Sequence, residues 1–184
     1  SYSVKIQQMF QRQIGQLKSI LALRSPGQPK VHLLLSATDD GSGQSVTLAL
    51  ARHYFNTGDR TLFVSIGSPS PESRQTGIQS AQQQGFKWIK LPSPEKSEMD
   101  LINCLNDELP GNDTVVMYAP ATQILPACLR ALPDGTQTLL LVRWRKTPRT
   151  RVGHVLALLE NLGLSPLGVV LTEVDVRFAS EDLL

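Results

Sequence analysis

Apolar residues in this chain fall into short continuous runs separated by stretches with helical spacing. The runs are about five residues long and lie at 31–35, 61–65, 114–118, 138–142 and 166–172. Runs of this kind are typical of strands that are buried on both faces of a sheet. Because helical stretches separate them, the pattern indicates parallel strands joined by right-handed helical crossovers. We therefore expect an α/β fold, with a doubly wound, mainly parallel sheet sandwiched by helices.

Helical spacing and helix-ending residues predict helices at 3–23, 44–56, 98–109, 124–131 and 151–162. The polar stretch 77–84 predicts a further helix, with the glutamines 82–84 as its exposed end, and a short apolar run at 86–91 follows. In the first helix, an apolar stripe predicts packing against the sheet, with a partner surface as the alternative. The stripe consists of Phe10, Ile14, Leu17 and Leu21.

The chain contains no internal repeat and no domain-sized linker, so we expect one domain of 184 residues. It divides into an N-terminal helix at 1–24, an α/β core at 31–175 and a polar tail at 176–184. No apolar run is long enough to span a bilayer, and we identify no signal peptide. A start at Ser1 is compatible with a soluble piece cut from a longer protein.

The net charge and the positions of the cysteines and histidines argue against several classes of function. A net charge of +2 and 18% charged residues give no global field that would attract nucleic acid or anionic lipid. Cys104 and Cys128 lie in apolar stretches without motif spacing, which predicts buried free thiols rather than a disulfide or a metal site. His32, His53 and His154 have no carboxylate or thiol at ligand spacing, so we expect no metal site.

The glycine-containing loop after the first strand is the best candidate for a ligand site, because doubly wound sheets bind ligands there. A phosphate loop needs glycines so that backbone N–H groups can converge on the phosphates. It also needs a lysine for the β and γ oxygens and a serine or threonine for Mg²⁺. Here Gly41 and Gly43 are present and Ser45 occupies the Mg²⁺ position. Gln44 occupies the lysine position, and Thr38 occupies the first glycine position.

The charges of this loop oppose tight ATP binding. Gln44 is neutral, and charge-assisted hydrogen bonds are roughly twice as strong as neutral ones. Asp39 and Asp40 each oppose a polyphosphate by about 1 kcal/mol at about 4 Å in water. The helix N-terminus favours an anion by only about 0.3–1 kcal/mol. The two interpretations are a tight strand-to-helix turn, with Ser42 or Ser45 near the helix cap, and weak residual nucleotide binding.

Residues 31–67, 112–121 and 138–175 resemble the cytoplasmic ATPase domain of bacterial tyrosine kinases of capsule and exopolysaccharide systems, relatives of the MinD/ParA-type ATPases. The resemblance is most convincing at 31–49, 58–64 and 139–175, and it implies a P-loop NTPase-like fold. It also implies carboxylates that hold Mg²⁺ at the positions occupied here by Ser65, Gly67 and Tyr118. With Gln44, four functional positions of the family are therefore replaced.

Two other features of the family also differ. Residues 178–184 contain no tyrosine, although the family carries its phosphorylated tyrosine cluster at the C-terminus. The family's N-terminal glutamate-and-arginine oligomerisation motif falls near residues 8–14, where Gln8, Gln11 and Ile14 stand and only Arg12 is basic. The resemblance therefore does not extend to the family's phosphorylated tyrosine cluster or to its motif for ring assembly.

A basic strip follows the fourth predicted strand. It places five positive charges within nine residues, but Trp144 is the only aromatic residue among them. The interpretations are a solvated loop and helix start, a contact with a partner protein or membrane surface, and, least favoured, a nucleic-acid site. The strip consists of Arg143, Arg145, Lys146, Arg149 and Arg151.

The sequence thus predicts a pseudokinase, a non-catalytic interaction or scaffold module without a cofactor. The resemblance implies a role in exopolysaccharide or capsule synthesis or export, cellulose included, at the cytoplasmic face of the bacterial inner membrane. The expected partner is a protein of the polysaccharide complex, with homo- or hetero-oligomers, no nucleic acid, and membrane contact only by fusion or association. The alternatives are a residual ATP- or ADP-binding switch or unusual ATPase, and a MinD/ParA-like positioning protein.

Overall fold

The computed structural model describes residues 2–23, 30–38, 40–41, 43–67, 79–83, 85–91, 97–124 and 126–173. The strands are β1 (Lys30–Ser36), β2 (Thr61–Ile66), β3 (Gln79–Gln83), β4 (Phe86–Leu91), β5 (Thr114–Pro120), β6 (Gln137–Arg143) and β7 (Gly168–Thr172). The helices are α1 (Tyr2–Leu23), α2 (Gln44–Asn56), α3 (Ser97–Glu108), α4 (Pro126–Arg130) and α5 (Arg149–Asn161). Short 3₁₀ turns lie at Leu109–Gly111 and Ala121–Gln123.

The strands form one seven-stranded sheet in the order β3-β4-β2-β5-β1-β6-β7. All neighbouring strands pair in parallel except β3, which pairs antiparallel with β4 at one edge. The predicted α/β fold with a doubly wound, mainly parallel sheet is therefore confirmed. In this topology the loop between β1 and α2 emerges beside the carboxyl ends of β5 and β6.

Helices cover both faces of the sheet, and each face has its own hydrophobic cluster. On one face, α3, α4 and α5 contribute buried residues such as Leu129 and Leu159. On the other face, α1 and α2 bury Leu21 and Leu50 against alternate residues of the same strands. Tyr118 of β5 belongs to this second cluster, which places its ring on the face that α2 covers.

The structure contradicts the helix predicted at 77–84. Gln79–Gln83 form strand β3, with Gln79 opposite Lys90 and Gln83 opposite Phe86. Glutamines 82 and 83 therefore lie in a strand and not at an exposed helix end, while residues 77, 78 and 84 lie outside the described residues. The pairing with β4 outweighs the predicted preference of this polar stretch for a helix, because strand formation depends strongly on the neighbouring strand. Gly85 supports the reversal of the chain with φ = +94°, a conformation that glycine adopts without steric cost.

Helix α1 packs on the α2 side of the sheet and not on a separate surface. Ile14 and Leu21 are buried, and Phe10 and Leu17 are half-buried against the same cluster. Gln8, Gln11 and Arg12, from the stretch compared with the oligomerisation motif, are exposed. The prediction that the apolar stripe of this helix forms part of the core is confirmed.

Both cysteines are buried, as predicted, and neither is part of a disulfide. Burial raises the pKa of the Cys104 thiol to about 11, so this thiol stays protonated at neutral pH. Among the described helices, none combines the length and the apolar character that crossing a bilayer requires. The predicted tail at 176–184 lies outside the described residues.

A buried histidine of β1 contacts α2 on the face of the sheet that α2 covers. His32 of β1 is fully buried, and its Nε2 lies 3.0 Å from the hydroxyl of Tyr54 in α2. Burial, together with the charge of Lys30, lowers the pKa of His32 from 6.5 to about 4, although hydrogen bonding with Gln137 acts in the opposite direction. Gln137 of β6 in turn donates a hydrogen bond of 3.2 Å to the carbonyl of Leu21 at the end of α1.

We expect the free energy of unfolding to fall as the pH falls from 6.5 to about 4. In this window the unfolded chain protonates His32 while the folded chain keeps it neutral, so protons favour unfolding. The pKa difference corresponds to about 3 kcal/mol in total. Urea unfolding at several pH values measures this loss. His32→Gln should abolish most of it, whereas His154→Gln, at an exposed position, should retain it. An unchanged pH dependence in His32→Gln would contradict the assignment.

Candidate functional site

The candidate site is the loop between β1 and α2, at the carboxyl ends of the central strands. In a doubly wound sheet this is the position at which ligands bind. The N–H of Ala37 donates a hydrogen bond of 3.0 Å to the carbonyl of Leu141, which attaches the start of the loop to β6. Thr38, Gly41 and Gly43 lie in this short connection, and Gln44 and Ser45 begin α2, while residues 39 and 42 lie outside the described residues.

A carboxylate of the loop is paired with the basic strip. The Thr38 hydroxyl donates to Asp40 Oδ1 at 3.0 Å, and Arg143 Nη1 donates to Asp40 Oδ2 at 2.7 Å. Arg143 Nε also donates to Glu173, just after β7, and hydrogen bonds with Glu173 and Asp40 raise the pKa of Arg143. Two carboxylates surround one guanidinium, so this group carries a formal charge of −1. That charge opposes the binding of an anion at the loop.

Gly43 begins helix α2, and its surroundings explain the need for glycine. A Cβ atom added at Gly43 would lie 2.5 Å from Leu141 Cδ1 and 3.1 Å from Tyr118 Cε2. The carbonyl of Gly43 accepts hydrogen bonds from the N–H and the hydroxyl of Thr47, at 3.1 and 2.8 Å. Gly43 is also the N-cap of α2, and no side chain caps this helix. Close packing between helix and sheet accounts for this glycine without a bound phosphate.

The structure brings Ser65 and Tyr118 together as neighbours across β2 and β5. Tyr118 is only 2% exposed, and its ring lies below the start of α2. Ser65 is also buried, and its hydroxyl accepts a hydrogen bond of 2.8 Å from Trp88 Nε1. The two positions at which the resemblance implies metal-binding carboxylates thus hold a packed ring and a hydroxyl that is engaged with an indole.

Gly67, the third such position, follows β2 at the turn. Its φ is +79°, a left-handed conformation that side chains other than those of asparagine and aspartate seldom adopt. Its N–H donates a hydrogen bond of 3.1 Å to the carbonyl of Leu91, so it closes the end of β2 against β4. The backbone conformation therefore provides a local reason for glycine here.

The residues present do not fit a magnesium–nucleotide complex. The lysine position holds Gln44, which is half-buried, and Ser45 is exposed on the first turn of α2. Neither Ser65 nor Tyr118 offers the carboxylate oxygen that Mg²⁺ prefers. Within the described part of the chain, no group of three or more histidines, cysteines, aspartates or glutamates is arranged to hold a metal ion.

The basic strip divides into an internal and an external part. Arg143 pairs with Asp40 and Glu173, whereas Lys146, Arg149 and Arg151 are exposed. The guanidinium carbon of Arg145 lies 5.7 Å from the centroid of the Trp144 ring, and Arg145 has a φ of +55°. The first turn of α5 contains Arg149 and Arg151 and no acidic residue, although a helix N-terminus disfavours cations.

Sequence reasoning missed an open groove beside α5. The groove has a volume of about 410 Å³ and lies between the segment after β5 and one flank of α5. The two segments are separated in sequence by β6, so no local pattern could indicate it. Its lining includes Ala121, Thr122, Pro148, Arg151, His154 and Leu158.

Comparisons with known proteins agree with this fold. No protein-family model and no curated protein matches the sequence. The kinase domain of the Escherichia coli tyrosine kinase ETK matches with a TM-score of 0.67 and 19% identity, over 85% of this chain and 72% of that domain. The chimerical protein CapA2B2 matches with a TM-score of 0.67 and 17% identity, over 88% and 83%. The VpsO kinase domain matches with a TM-score of 0.61 and 15% identity, over 95% and 100%.

At these identities the likeness shows the fold alone. The chain therefore has the fold of bacterial tyrosine kinase domains, and the resemblance drawn from the sequence is confirmed at that level. Catalytic activity is a separate question, which depends on the side chains of the loop and of the neighbouring strand ends.

We expect Gly43→Ala to destabilise the protein by about 1–3 kcal/mol, because the added methyl group overpacks the contact with Leu141 and Tyr118. Thermal or urea unfolding in the absence of nucleotide measures the change. Gly111→Ala is the matched control, since a Cβ there meets open space, and we expect a change within about 0.5 kcal/mol. Equal stability of the two variants would show that Gly43 has no packing role.

Proposed function

We propose that this chain is a non-catalytic interaction module built on the fold of a bacterial tyrosine kinase domain. The observation that carries the proposal is the packing of Tyr118. Its buried ring occupies the position at which the resemblance implies a metal-binding aspartate, and it contacts the start of α2 at Gly43. Ser65 beside it is committed to Trp88. A site for Mg²⁺ and polyphosphate would require both the metal-binding carboxylates and the lysine.

The electrostatics of the loop support the same proposal. In an active phosphate loop, positive charge faces the ligand. In this chain the arginine that contacts the loop, Arg143, is shared by two carboxylates, and Gln44 adds no charge. The group formed by Asp40, Arg143 and Glu173 therefore repels the anion that the loop geometry would otherwise attract.

The exposed part of the basic strip is the proposed contact surface of this module. Arg149 and Arg151 lie in the first turn of α5, where the helix dipole disfavours them by about 0.3–1 kcal/mol each. An acidic protein surface or an anionic membrane surface would offset this cost. With Arg145 and Lys146 they form a run of exposed cations that leads into the first turn of α5, and Arg151 also lines the groove together with His154.

The proposed biological setting rests on the sequence resemblance. We propose that the module acts in exopolysaccharide or capsule synthesis or export, at the cytoplasmic face of the inner membrane. There it would contact a membrane protein of the polysaccharide complex or an active kinase. Such a role needs a stable kinase-like scaffold and exposed contact surfaces, and it needs no phosphoryl transfer.

Calorimetry with Mg·ATP and with Mg·ADP tests the loss of the nucleotide site. We expect no binding tighter than about 10 µM, an affinity that corresponds to roughly −7 kcal/mol. The kinase domain of Escherichia coli ETK serves as the comparison protein under identical conditions. Binding tighter than this limit that disappears on removal of Mg²⁺ would sink the proposal in favour of a nucleotide switch.

Restoring the lysine alone should not restore hydrolysis. We expect Gln44→Lys to release phosphate from ATP no faster than the unmodified chain, because Ser65, Gly67 and Tyr118 still provide no carboxylate for the metal. A coupled phosphate-release assay measures the rate, with Gln44→Met as a control for the change in side-chain length. Turnover in Gln44→Lys above that of Gln44→Met would show that other residues hold the metal.

A further inference from the structure

The edge strand β7 is unusually open to association. It lies at one end of the sheet, and among the described residues β6 is its only neighbouring strand. Its sequence, Gly168-Val-Val-Leu-Thr172, contains no charged residue and no proline. Natural edge strands are usually protected by charged residues, proline or a bulge, because unpaired backbone groups recruit further strands. None of these protections is present in β7.

Two apolar side chains of β7 are exposed on one face of the sheet, beside this strand edge. Val169 is 53% exposed and Leu171 is 49% exposed. They lie opposite Leu140 and Val142 of β6, which pack on the face covered by α5. Leu156 of α5 is 37% exposed. We call Leu156, Val169 and Leu171 the edge patch.

Helical spacing places Leu156 on the β7 side of α5. Arg151, His154 and Leu158 line the groove towards β5, so they define the flank of α5 that faces the centre of the sheet. At 100° per residue, Arg149, Leu156 and Glu160 fall on the opposite flank, which faces the edge. This outer flank carries a positive charge at its start, an apolar residue in the middle and a negative charge at its end.

We propose that the edge patch and the outer flank of α5 bind a second copy of this chain about a two-fold axis. Antiparallel pairing of two β7 strands about Val170 would place Val169 of each copy opposite Leu171 of the other. The two α5 helices would then lie antiparallel on the same face of the joined sheet. Arg149 of one copy would face Glu160 of the other, twice, and Gly153 would face Leu156.

Charge and dimensions favour a second copy over an unrelated partner. A flank that is positive at one end and negative at the other is complementary to its own antiparallel copy. Helix α5, with 13 residues, is about 20 Å long, and β7, with 5 residues, is about 17 Å long, so both pairings fit within one interface. Two pairings of this length make a small interface beside specific interfaces that bury about 1,200–2,000 Å². We therefore expect a reversible dimer with a dissociation constant of tens of micromolar.

The proposed dimer does not depend on whether the loop between β1 and α2 binds a nucleotide. The edge patch and the outer flank contain none of the loop residues from Thr38 to Ser45, so dimerisation should be the same with and without Mg·ATP. Failure of the dimer would leave the calorimetric test of the loop unaffected, and the reverse also holds.

Sedimentation velocity of the 184-residue chain between about 5 and 300 µM measures the association. We expect a concentration-dependent monomer–dimer equilibrium that the double variant Val169→Lys/Leu171→Lys weakens at least tenfold, because lysines protect strand edges. Met99→Lys is the matched control, since Met99 is an exposed apolar residue of α3 at 61% exposure, and it should leave the equilibrium unchanged. Circular dichroism and thermal unfolding establish that each variant is folded.

Exchanging the charges of Arg149 and Glu160 tests the proposed orientation of the two α5 helices and leaves β7 unchanged. Arg149→Glu and Glu160→Arg should each weaken the dimer about three- to tenfold, and the double variant should recover most of the loss. A chain that stays monomeric at 300 µM would overturn the proposal, because the edge patch would then not bind a second copy. A dimer that survives the lysine variant, or a double charge variant that fails to recover, would also overturn it.

Discussion

The start of α2 is in van der Waals contact with the sheet at Gly43, and the arrangement of the loop depends on this contact. Gly43 lies between Thr47, which donates two hydrogen bonds to its carbonyl, and the side chains of Leu141 and Tyr118. A larger residue would force at least one of these groups to move. Because β1 lies between β5 and β6, the contact fixes α2 over the central strands, and the loop only has to connect Ala37 to Gly43.

This contact also gives the glycine of the loop a role that requires no ligand. Glycine in such a loop serves two purposes, the close approach of the backbone to phosphate and the close packing of helix on strand. The second purpose alone accounts for Gly43. The ring of Tyr118 forms part of the surface on which Gly43 packs. An aspartate in place of Tyr118 would remove that surface and bury a carboxylate, which costs free energy unless the carboxylate is paired. Tyr118 therefore both occupies the position of the implied aspartate and supports the packing of the loop at Gly43.

The sequence predicts the repeating framework well and the long-range contacts poorly. The helix at Gln44–Asn56 has its predicted bounds, and all five predicted strands exist, because apolar runs and helix-ending residues are local signals. Strand β3 gave no such signal, since polar glutamines become a strand only through pairing with β4. The contacts of Arg143 with Asp40 and of Trp88 with Ser65 join residues that are 103 and 23 positions apart. Only the folded sheet brings them together, so the residues that occupy the loop could be read from the sequence, but the ion pair between Asp40 and Arg143 could not be predicted.

The contacts already made at the loop and on the α5–β7 side indicate where we expect another molecule to bind. At the loop, Asp40 pairs with Arg143, Gly43 is packed, and Ser65 accepts its hydrogen bond. A further ligand there would have to displace contacts that already exist. On the α5–β7 side, cations occupy a helix N-terminus and apolar side chains stand on an unprotected strand edge. These features raise the free energy of the isolated chain, and a contacting surface would lower it. We therefore expect a contacting surface on the α5–β7 side and not at the carboxyl ends of the strands.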